Sequence, residues 1–307
     1  MSLGALVTVI FWGVSFVATK IALRELSPIE ILTVRFGLGS FFLWLTLLLK
    51  KRCALPAREI LPILVLLGFL GIFFHNWIQA VGLRFTTAMN SGILIATCPI
   101  FIAVLSRLFF GERFNFVRVV GMIIGFSGVV ILITGGKFSL LISGSRSSLG
   151  DILILLSAFN WAVYSIIGKR VSLQGSPLIN ISYIMLFGWI MLLPFSLRSR
   201  TFSHIWALSY QGWFWVVFLG VFCSGLGYFL WYEAMARREA ARIGAYLYLE
   251  PFFTVLAAMT ILAEPLSLAI FVGGGLILLG VFMAAGKKNP RRLDRALRKS
   301  HFRNFLP

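Results

Sequence analysis

Charge is scarce in this 307-residue sequence: 12% of residues are charged, and only 10 are Asp or Glu against 28 Lys or Arg. With 59% of positions hydrophobic, an ordinary water-soluble surface is excluded, and a bilayer must solvate most of the chain. The three cysteines, Cys53, Cys98 and Cys223, are odd in number and lack metal-ligand spacing. Neither a disulfide framework nor a metal site is expected, and the thiols read as small apolar filler. The 3 histidines are scattered, and no paired intramembrane aspartates or activated nucleophile is legible, which argues against a membrane-embedded enzyme acting on lipid or isoprenoid substrates. A Gly-x-x-x-x-Gly-Lys-Ser/Thr phosphate loop is missing, so ATP is not the expected energy source. No cofactor is expected.

What is present is long apolar runs. A span needs about 20 mostly apolar residues to cross roughly 30 Å of hydrocarbon. Ten such stretches can be placed, at about 3–23, 29–49, 61–83, 88–110, 117–135, 149–168, 178–197, 212–235, 241–263 and 266–286. Continuous runs such as Leu61 to Leu70 or Val129 to Ile133 do not alternate as a spanning β-barrel would, so the fold class expected is an all-α membrane protein of ten transmembrane helices. The first span starts within three residues of Met1 without a basic leader or a small-residue cleavage site and reads as an uncleaved helix.

The net charge of +18 is distributed by loop rather than gathered into a nucleic-acid-binding face. One set of loops carries Lys50, Lys51, Arg52, Arg58, Arg107, Arg113, Arg118, Lys169, Arg170, Arg237, Arg238 and Arg242, together with a basic tail after Gly286. The opposite set carries only Lys20, Arg24, Arg84, Lys137, Arg146, Arg198 and Arg200. The positive-inside rule therefore places both termini in the cytoplasm (N-in and C-in). The tail, 287–307, is expected to lie against anionic lipid head groups. Nucleic acid is not an expected partner.

An internal repeat organises the chain. An offset of 149 residues superposes Trp12 on Trp161, Lys20 on Lys169, Ser27-Pro28 on Ser176-Pro177 and Gly39 on Gly188. Farther along, an offset of 152 superposes Pro99 on Pro251, Glu112 on Glu264, Val120-Gly121 on Val272-Gly273 and Gly128-Val129 on Gly280-Val281. Between these blocks, Trp77 and Ala80 match Trp231 and Ala234 at 154. The expected organisation is a five-helix repeat over 1–136, an external linker over 137–148, a second repeat over 149–286 and the tail. Five is odd, so the second half enters the bilayer from the opposite side, giving two inverted five-helix repeats. That architecture commonly serves secondary transport by alternating access around a site near the midplane. Gly121, Gly125 and Gly128 form one helical stripe, echoed by Gly273–Gly275 and Gly280, as close helix packing within the monomer requires.

The motif Trp12-Gly13-Val-Ser15-Phe16 with Lys20, then Pro28 with Arg35-Phe36, Pro99 with Gly111-Glu112-Arg113, and Leu249-Glu250-Pro251 with Glu264 resembles the pattern of EamA-type transporters of the drug/metabolite transporter superfamily. The resemblance extends over about residues 3–286. It departs at Ile184, which stands opposite Arg35, and at Ala263, which precedes Glu264 where Gly111 precedes Glu112. The resemblance implies a non-enzymatic, gradient-driven exporter of small metabolites, amino acids above all, in a bacterial cytoplasmic (inner) membrane. A passive channel or a lipid-linked flippase is the alternative.

Ionisable groups within spans are costly to insert and so are functional candidates. Glu250, expected nine residues into span nine at a Pro251 kink, can meet a substrate amine or a proton, or serve as a structural carboxylate. Arg35 suits a substrate carboxylate, or snorkels or pairs between helices. Lys20 and Lys169 suit interfacial anchoring, Glu233 a pair with Arg237, and Glu112 and Glu264 the capping of the helix that follows each. His75 can carry a proton or be held structurally. The rest of the candidate substrate-binding lining is Trp12, Ser15, Asn76, Trp77, Gln79, Asn90, Trp161, Tyr164, Tyr228, Trp231, Tyr232, Tyr246 and Tyr248, whose amphipathic rings either face the cavity or sit at lipid interfaces.

Overall fold

A computed structural model describes residues 2–51, 54–110, 116–134, 146–172, 176–198, 205–237 and 245–285. All regular structure among them is helical. In chain order the rods are α1 (Leu3–Ala22), α2 (Pro28–Leu49) and α3, which runs as Leu61–Leu67, a π-helical Gly68–Phe74 and His75–Leu83. Next come α4 (Ala88–Ile95 and Cys98–Phe110), α5 (Phe116–Thr134), α6 (Arg146–Ser172) and α7 (Pro177–Arg198). Then follow α8 (Tyr210–Val217, π-helical Phe218–Leu226 and Gly227–Arg237), α9 (a 3-10 turn Ala245–Leu249, then Glu250–Ile261) and α10 (Leu268–Ala285).

Six of the helices are long and apolar enough to cross a membrane, and shorter apolar helices lie at Ala88–Ile102, Val119–Leu132, Glu250–Ile261 and Leu268–Gly280. At 1.5 Å per residue, the 20 residues of α1 reach about the 30 Å of a hydrocarbon core. The surface matches that solvent. Phe41, Leu48, Phe126, Ile152, Phe195 and Phe282 are exposed, whereas Thr8, Asn76, Asp151, Ser157, Ser224 and Thr254 are buried. Large apolar side chains outward and polar ones inward invert the pattern of a water-soluble protein. The chain is a multi-pass membrane protein.

Local chemistry sets the helix starts. The Ser27 side chain accepts from the Glu30 N–H while the Glu30 carboxylate accepts from the Ser27 N–H, and Pro28 opens α2 where no N–H is needed. Ser209 caps α8 by accepting from the Gly212 N–H at 3.0 Å.

The most extensive helix contacts follow one rule. α1 packs on α9 as α6 packs on α4, α2 on α8 as α7 on α3, and α1 on α8 as α6 on α3, while α2 packs on α7 and α5 on α10. Exchanging α1–α5 with α6–α10 leaves this set of pairs unchanged. Glycines permit the tightest crossings: a Cβ on Gly39 would stand 3.2 Å from the Gly220 carbonyl of α8, and one on Gly188 2.7 Å from the Gly68 carbonyl of α3. Between α5 and α10, a Cβ on Gly128 would meet the Gly273 carbonyl at 2.6 Å and one on Gly280 the Gly121 carbonyl at 2.5 Å. Both glycine stripes thus bury one against the other inside the monomer.

Three expectations change. The fourth stretch is not continuous but breaks at Ala96–Thr97, and the ninth is a 3-10 turn followed by a helix that starts at Glu250. Each break precedes a proline, Pro99 or Pro251, which lacks the N–H an unbroken α-helix would use. Helix α6 begins at Arg146, inside the expected linker. The basic tail, residues 137–145 of the linker, Cys53 and Glu112 lie outside the described residues, as do the side chains of Lys169 and Arg237.

Candidate functional site

The two helix breaks meet at one cavity. In α4 the tight turn is closed by the Thr97 N–H on the Leu94 carbonyl at 3.0 Å and the Ile100 N–H on the Thr97 carbonyl at 2.8 Å. In α9, Pro251 sits in the first helical turn and Glu250 opens the helix, so the proline marks a start rather than the kink expected within a continuous span. Close crossings fix this start in place. The Thr254 hydroxyl donates to the Gly13 and Glu250 carbonyls, both at 3.0 Å. A Cβ on Gly13 would lie 2.9 Å from the Glu250 carbonyl, and one on Gly92 2.5 Å from the Thr254 Cβ. The family-like Trp12-Gly13 step is therefore a seat for the Glu250 backbone.

The cavity, about 50 Å³, is lined by Trp12, Ser15, Phe16, Arg35, His75, Asn76, Gln79, Ile95, Ala96, Cys98, Trp161, Tyr228, Leu247 and Glu250. At roughly 10–15 Å³ per water position, it admits a few waters or the head group of a small solute. Glu250 is 5% exposed and takes no hydrogen bond or ion pair from any described residue. A carboxylate held this way is stable only with a proton or a cation beside it, because an unpaired buried charge costs several kcal/mol, of order 3–5. Arg35 is 4% exposed. Its Nε donates to the Ser224 hydroxyl at 2.8 Å, and its guanidinium carbon stands 5.1 Å from the Phe36 ring centre. That bond spends Nε and leaves the terminal amino groups for an anionic partner. Arg35 and Glu250 line the same space without forming an ion pair with each other.

Aromatic rings wall the space between these charges. Trp12 meets Trp161 edge-on at 5.4 Å, Tyr228 at 5.4 Å and Trp231 at 5.1 Å, and Trp161 meets His75 at 5.0 Å. The Trp12 indole N–H donates to the Cys223 carbonyl at 3.1 Å, and Ser15 donates to the Trp12 carbonyl at 2.6 Å. His75 Nδ1 is 3.0 Å from the Ser157 carbonyl. A carbonyl only accepts, so Nδ1 carries the hydrogen and Nε2 remains.

The π-helical segment of α3 positions His75, Asn76 and Gln79. Its wider turns leave carbonyls without ordinary helical donors, and side-chain amides fill them: Asn76 donates to Gly71 and Ile72 at 2.8 and 3.2 Å, and Asn160 of α6 donates to Leu70 at 2.7 Å. Gly71 is required there, since a Cβ would stand 2.3 Å from the Tyr164 ring.

Of the residues singled out from sequence, Trp12, Ser15, Arg35, His75, Asn76, Gln79, Trp161, Tyr228 and Glu250 share this cavity. Trp77 does not line it: it is 38% exposed, because one residue along a helix turns the side chain about 100° away from Asn76. Asn90 sits apart, its amide 3.5 Å from both Asp151 oxygens. Tyr164 and Tyr232 are buried hydroxyl to hydroxyl at 2.6 Å behind Trp161, and Trp231 backs Trp12. Tyr246 accepts from the Ser2 N–H at 2.8 Å at the start of α1. Tyr248 belongs to the 3-10 turn, and its side chain lies outside the described residues.

Two cationic and acidic groups have structural partners that sequence did not reveal. Lys20 Nζ donates to the Leu83 and Thr86 carbonyls, both at 2.5 Å. Glu264 accepts from the Ala88 and Met89 N–H groups at 2.9 Å each, so it caps α4 and not the helix after it. The lining residues that sequence reasoning missed are Phe16, Ile95, Ala96, Cys98 and Leu247. The signal for Cys98 was its match to Glu250, each directly before a proline.

The EamA-like transporter family matches residues 1–134 and 148–286. An "Uncharacterized transporter" of Archaeoglobus fulgidus is 32% identical over 284 residues, covering 92% of this chain and 97% of that protein. The "Uncharacterized transporter YyaM" of Bacillus subtilis is 28% identical over 281 residues, covering 90% of each. A crystal structure superposes with a TM-score of 0.65 at 20% identity over 92% of this chain and 94% of the other, which speaks for a shared fold. The chain belongs to the EamA-like transporter family.

Proposed function

We propose that this protein is a secondary transporter of small zwitterionic metabolites, amino acids foremost, working as an exporter in a bacterial cytoplasmic membrane. In this reading, ten spans form two inverted five-helix repeats with both termini in the cytoplasm. The exchange rule among helix contacts supports the repeat, and the Lys and Arg asymmetry between loops supports the orientation. Alternating access follows from such architecture, because two similar halves have two equivalent ways to close around one central site.

One observation carries the substrate reading. Glu250, buried and without a described hydrogen-bond partner, shares a cavity with Arg35, whose terminal amino groups point to an anion. An ammonium and a carboxylate on one small solute would satisfy both groups, and the Trp12, Trp161 and Tyr228 rings suit the cationic end and the apolar body. Both charges lie at or beside breaks in the repeat symmetry, Arg35 opposite Ile184 and Glu250 opposite Cys98, and discontinuous helices near a midplane site are what transporters use to present polar groups.

The experiment is counterflow in liposomes. Purified protein preloaded with an unlabelled amino acid accumulates the labelled one, with saturation, under this proposal. Movement of other metabolites but no amino acid under any gradient contradicts the substrate class, and flux that never saturates contradicts a carrier.

A further inference from the structure

We infer that the corner joining α3 to α4 is a latch that closes one mouth of the cavity, held shut by Asp151 of α6 and by Glu264 beyond α9. The inference rests on the alternating-access reading above and adds to it the contacts that must break for one side to open.

Asp151 is fully buried at the start of α6. It accepts from the Thr86 hydroxyl and, at 3.5 Å, from the Asn90 amide. The backbones touch beside it: a Cβ on Gly150 would stand 2.8 Å from the Gly82 carbonyl and 2.9 Å from the Thr86 nitrogen. Glu264 reaches the first N–H groups of α4 from the other flank. It is aimed there by Ala263, whose φ of 52° turns the chain back after α9. Both carboxylates belong to the second half of the chain, and both grip the α3–α4 corner of the first. Lys20 of α1 holds the same corner through the Leu83 and Thr86 carbonyls and lies within electrostatic reach of Glu264.

Position makes this cluster a closure. Gln79 lines the cavity, and Leu83 is one helical turn farther along α3, so the corner lies immediately above the site. The chemistry also suits a contact that opens. Hydrogen bonds to a carboxylate exchange for those of water, so the corner releases without stranding an unpaired group. Among the described residues, the Asp151 contact is not repeated in the other half. At the offset of 149 that superposes Trp12 on Trp161, Asp151 falls on Ser2, whose N–H meets the Tyr246 hydroxyl instead. At this matched position the two halves therefore carry different chemistry.

The test uses Cys98, which lines the cavity, as sole thiol in a C53S, C223S protein reconstituted in liposomes. A membrane-impermeant thiol reagent is applied to each face separately. The face of the corner is identified by labelling of R84C in a protein that lacks the native thiols, since Arg84 is exposed there. Under the inference, Asp151→Asn and Glu264→Ala each raise the Cys98 labelling rate from that face by roughly fivefold, the order expected from loss of a net hydrogen bond. The rate from the opposite face does not rise. An unchanged rate, or an equal rise from both faces, overturns the latch. Should Asp151→Asn fail to assemble, Glu264→Ala carries the test with the same two outcomes. Labelling needs no substrate, so failure of the transport reading in counterflow leaves this result separate.

Discussion

Trp12 and Trp161 occupy matched positions in the two halves and meet each other edge-to-face, with ring centres 5.4 Å apart and planes at 86°. The duplication thus places its own corresponding residues in contact at the wall of the cavity. A double-mutant cycle of Trp12→Leu and Trp161→Leu measures this contact. Thermal unfolding in detergent is predicted to give a coupling of about 0.5–1.5 kcal/mol beyond the separate losses. Strict additivity would show that the rings only fill space.

Removing the Glu250 charge separates stability from function. Glu250→Gln is predicted to leave the melting temperature unchanged or raised, because no described partner loses a contact and the cost of burying an ionisable carboxyl is removed, while saturable counterflow falls by at least about tenfold, equivalent to ~1.4 kcal/mol. A variant that melts early and transports normally would assign the carboxylate a structural role.

Ser224 acts through Arg35. Without its hydroxyl, Nε loses the acceptor at 2.8 Å, and the guanidinium is free to swing from the cavity. Ser224→Ala is predicted to raise KM for transport by about tenfold, the low end of the range for a hydrogen bond to a charged group, with little change in maximal rate. Ser224→Thr, which keeps the hydroxyl, restores it. A matched fall in rate at constant KM would point instead to damage in the α2–α8 contact.

Ala263 adopts φ 52°, a left-handed conformation that costs a residue bearing a Cβ about 1–2 kcal/mol. The matched position in the first half is Gly111. Ala263→Gly is predicted to raise the melting temperature, with a gain of up to ~1 kcal/mol once the greater freedom of the unfolded glycine is counted. A lower melting temperature would contradict the left-handed assignment.

At the turn between α1 and α2, Glu25 accepts from the Ser209 hydroxyl at 2.6 Å and from its N–H at 2.8 Å. These bonds hold the carboxyl below its ordinary value. A depressed carboxyl stabilises the fold above its unfolded pKa, and that contribution is lost as pH falls through the folded pKa. The melting difference between wild type and Glu25→Gln should therefore be small but present at pH 7 and should shrink progressively as the pH is lowered into the acid range. The site is exposed, so salt also weakens it.

Much of the fold was legible because apolar runs of span length and the ordered Trp, Pro, Glu and Gly matches report membrane crossing and duplication directly. The glycine stripes were legible for the same reason: only a missing side chain permits carbonyl contact such as that of Gly128 with Gly273. What sequence hid was register. A π-helical turn such as Gly68–Phe74 has no separate compositional mark, and it determines that Gln79 faces the cavity while Trp77 faces outward. Long-range partners were hidden as well. Glu264 at a span end reads as a local cap, and only the fold brings the N-terminus of α4 beneath it. Asp151 could have been flagged as a rare acid at the head of an apolar run, but its partners Thr86 and Asn90 lie in the other half. Cys98 read as filler because a thiol carries no charge, although its place before Pro99 mirrors Glu250.

The most direct measurement is calorimetric binding of one amino acid, its carboxyl amide and its des-amino acid to wild type, Arg35→Gln and Glu250→Gln. The account predicts tight binding only of the intact zwitterion to wild type. The amide should lose nothing further in Arg35→Gln, nor the des-amino acid in Glu250→Gln, since each pair removes the two partners of one contact. Equal affinity of all three ligands for wild type, or losses that simply add, would contradict recognition by Arg35 and Glu250.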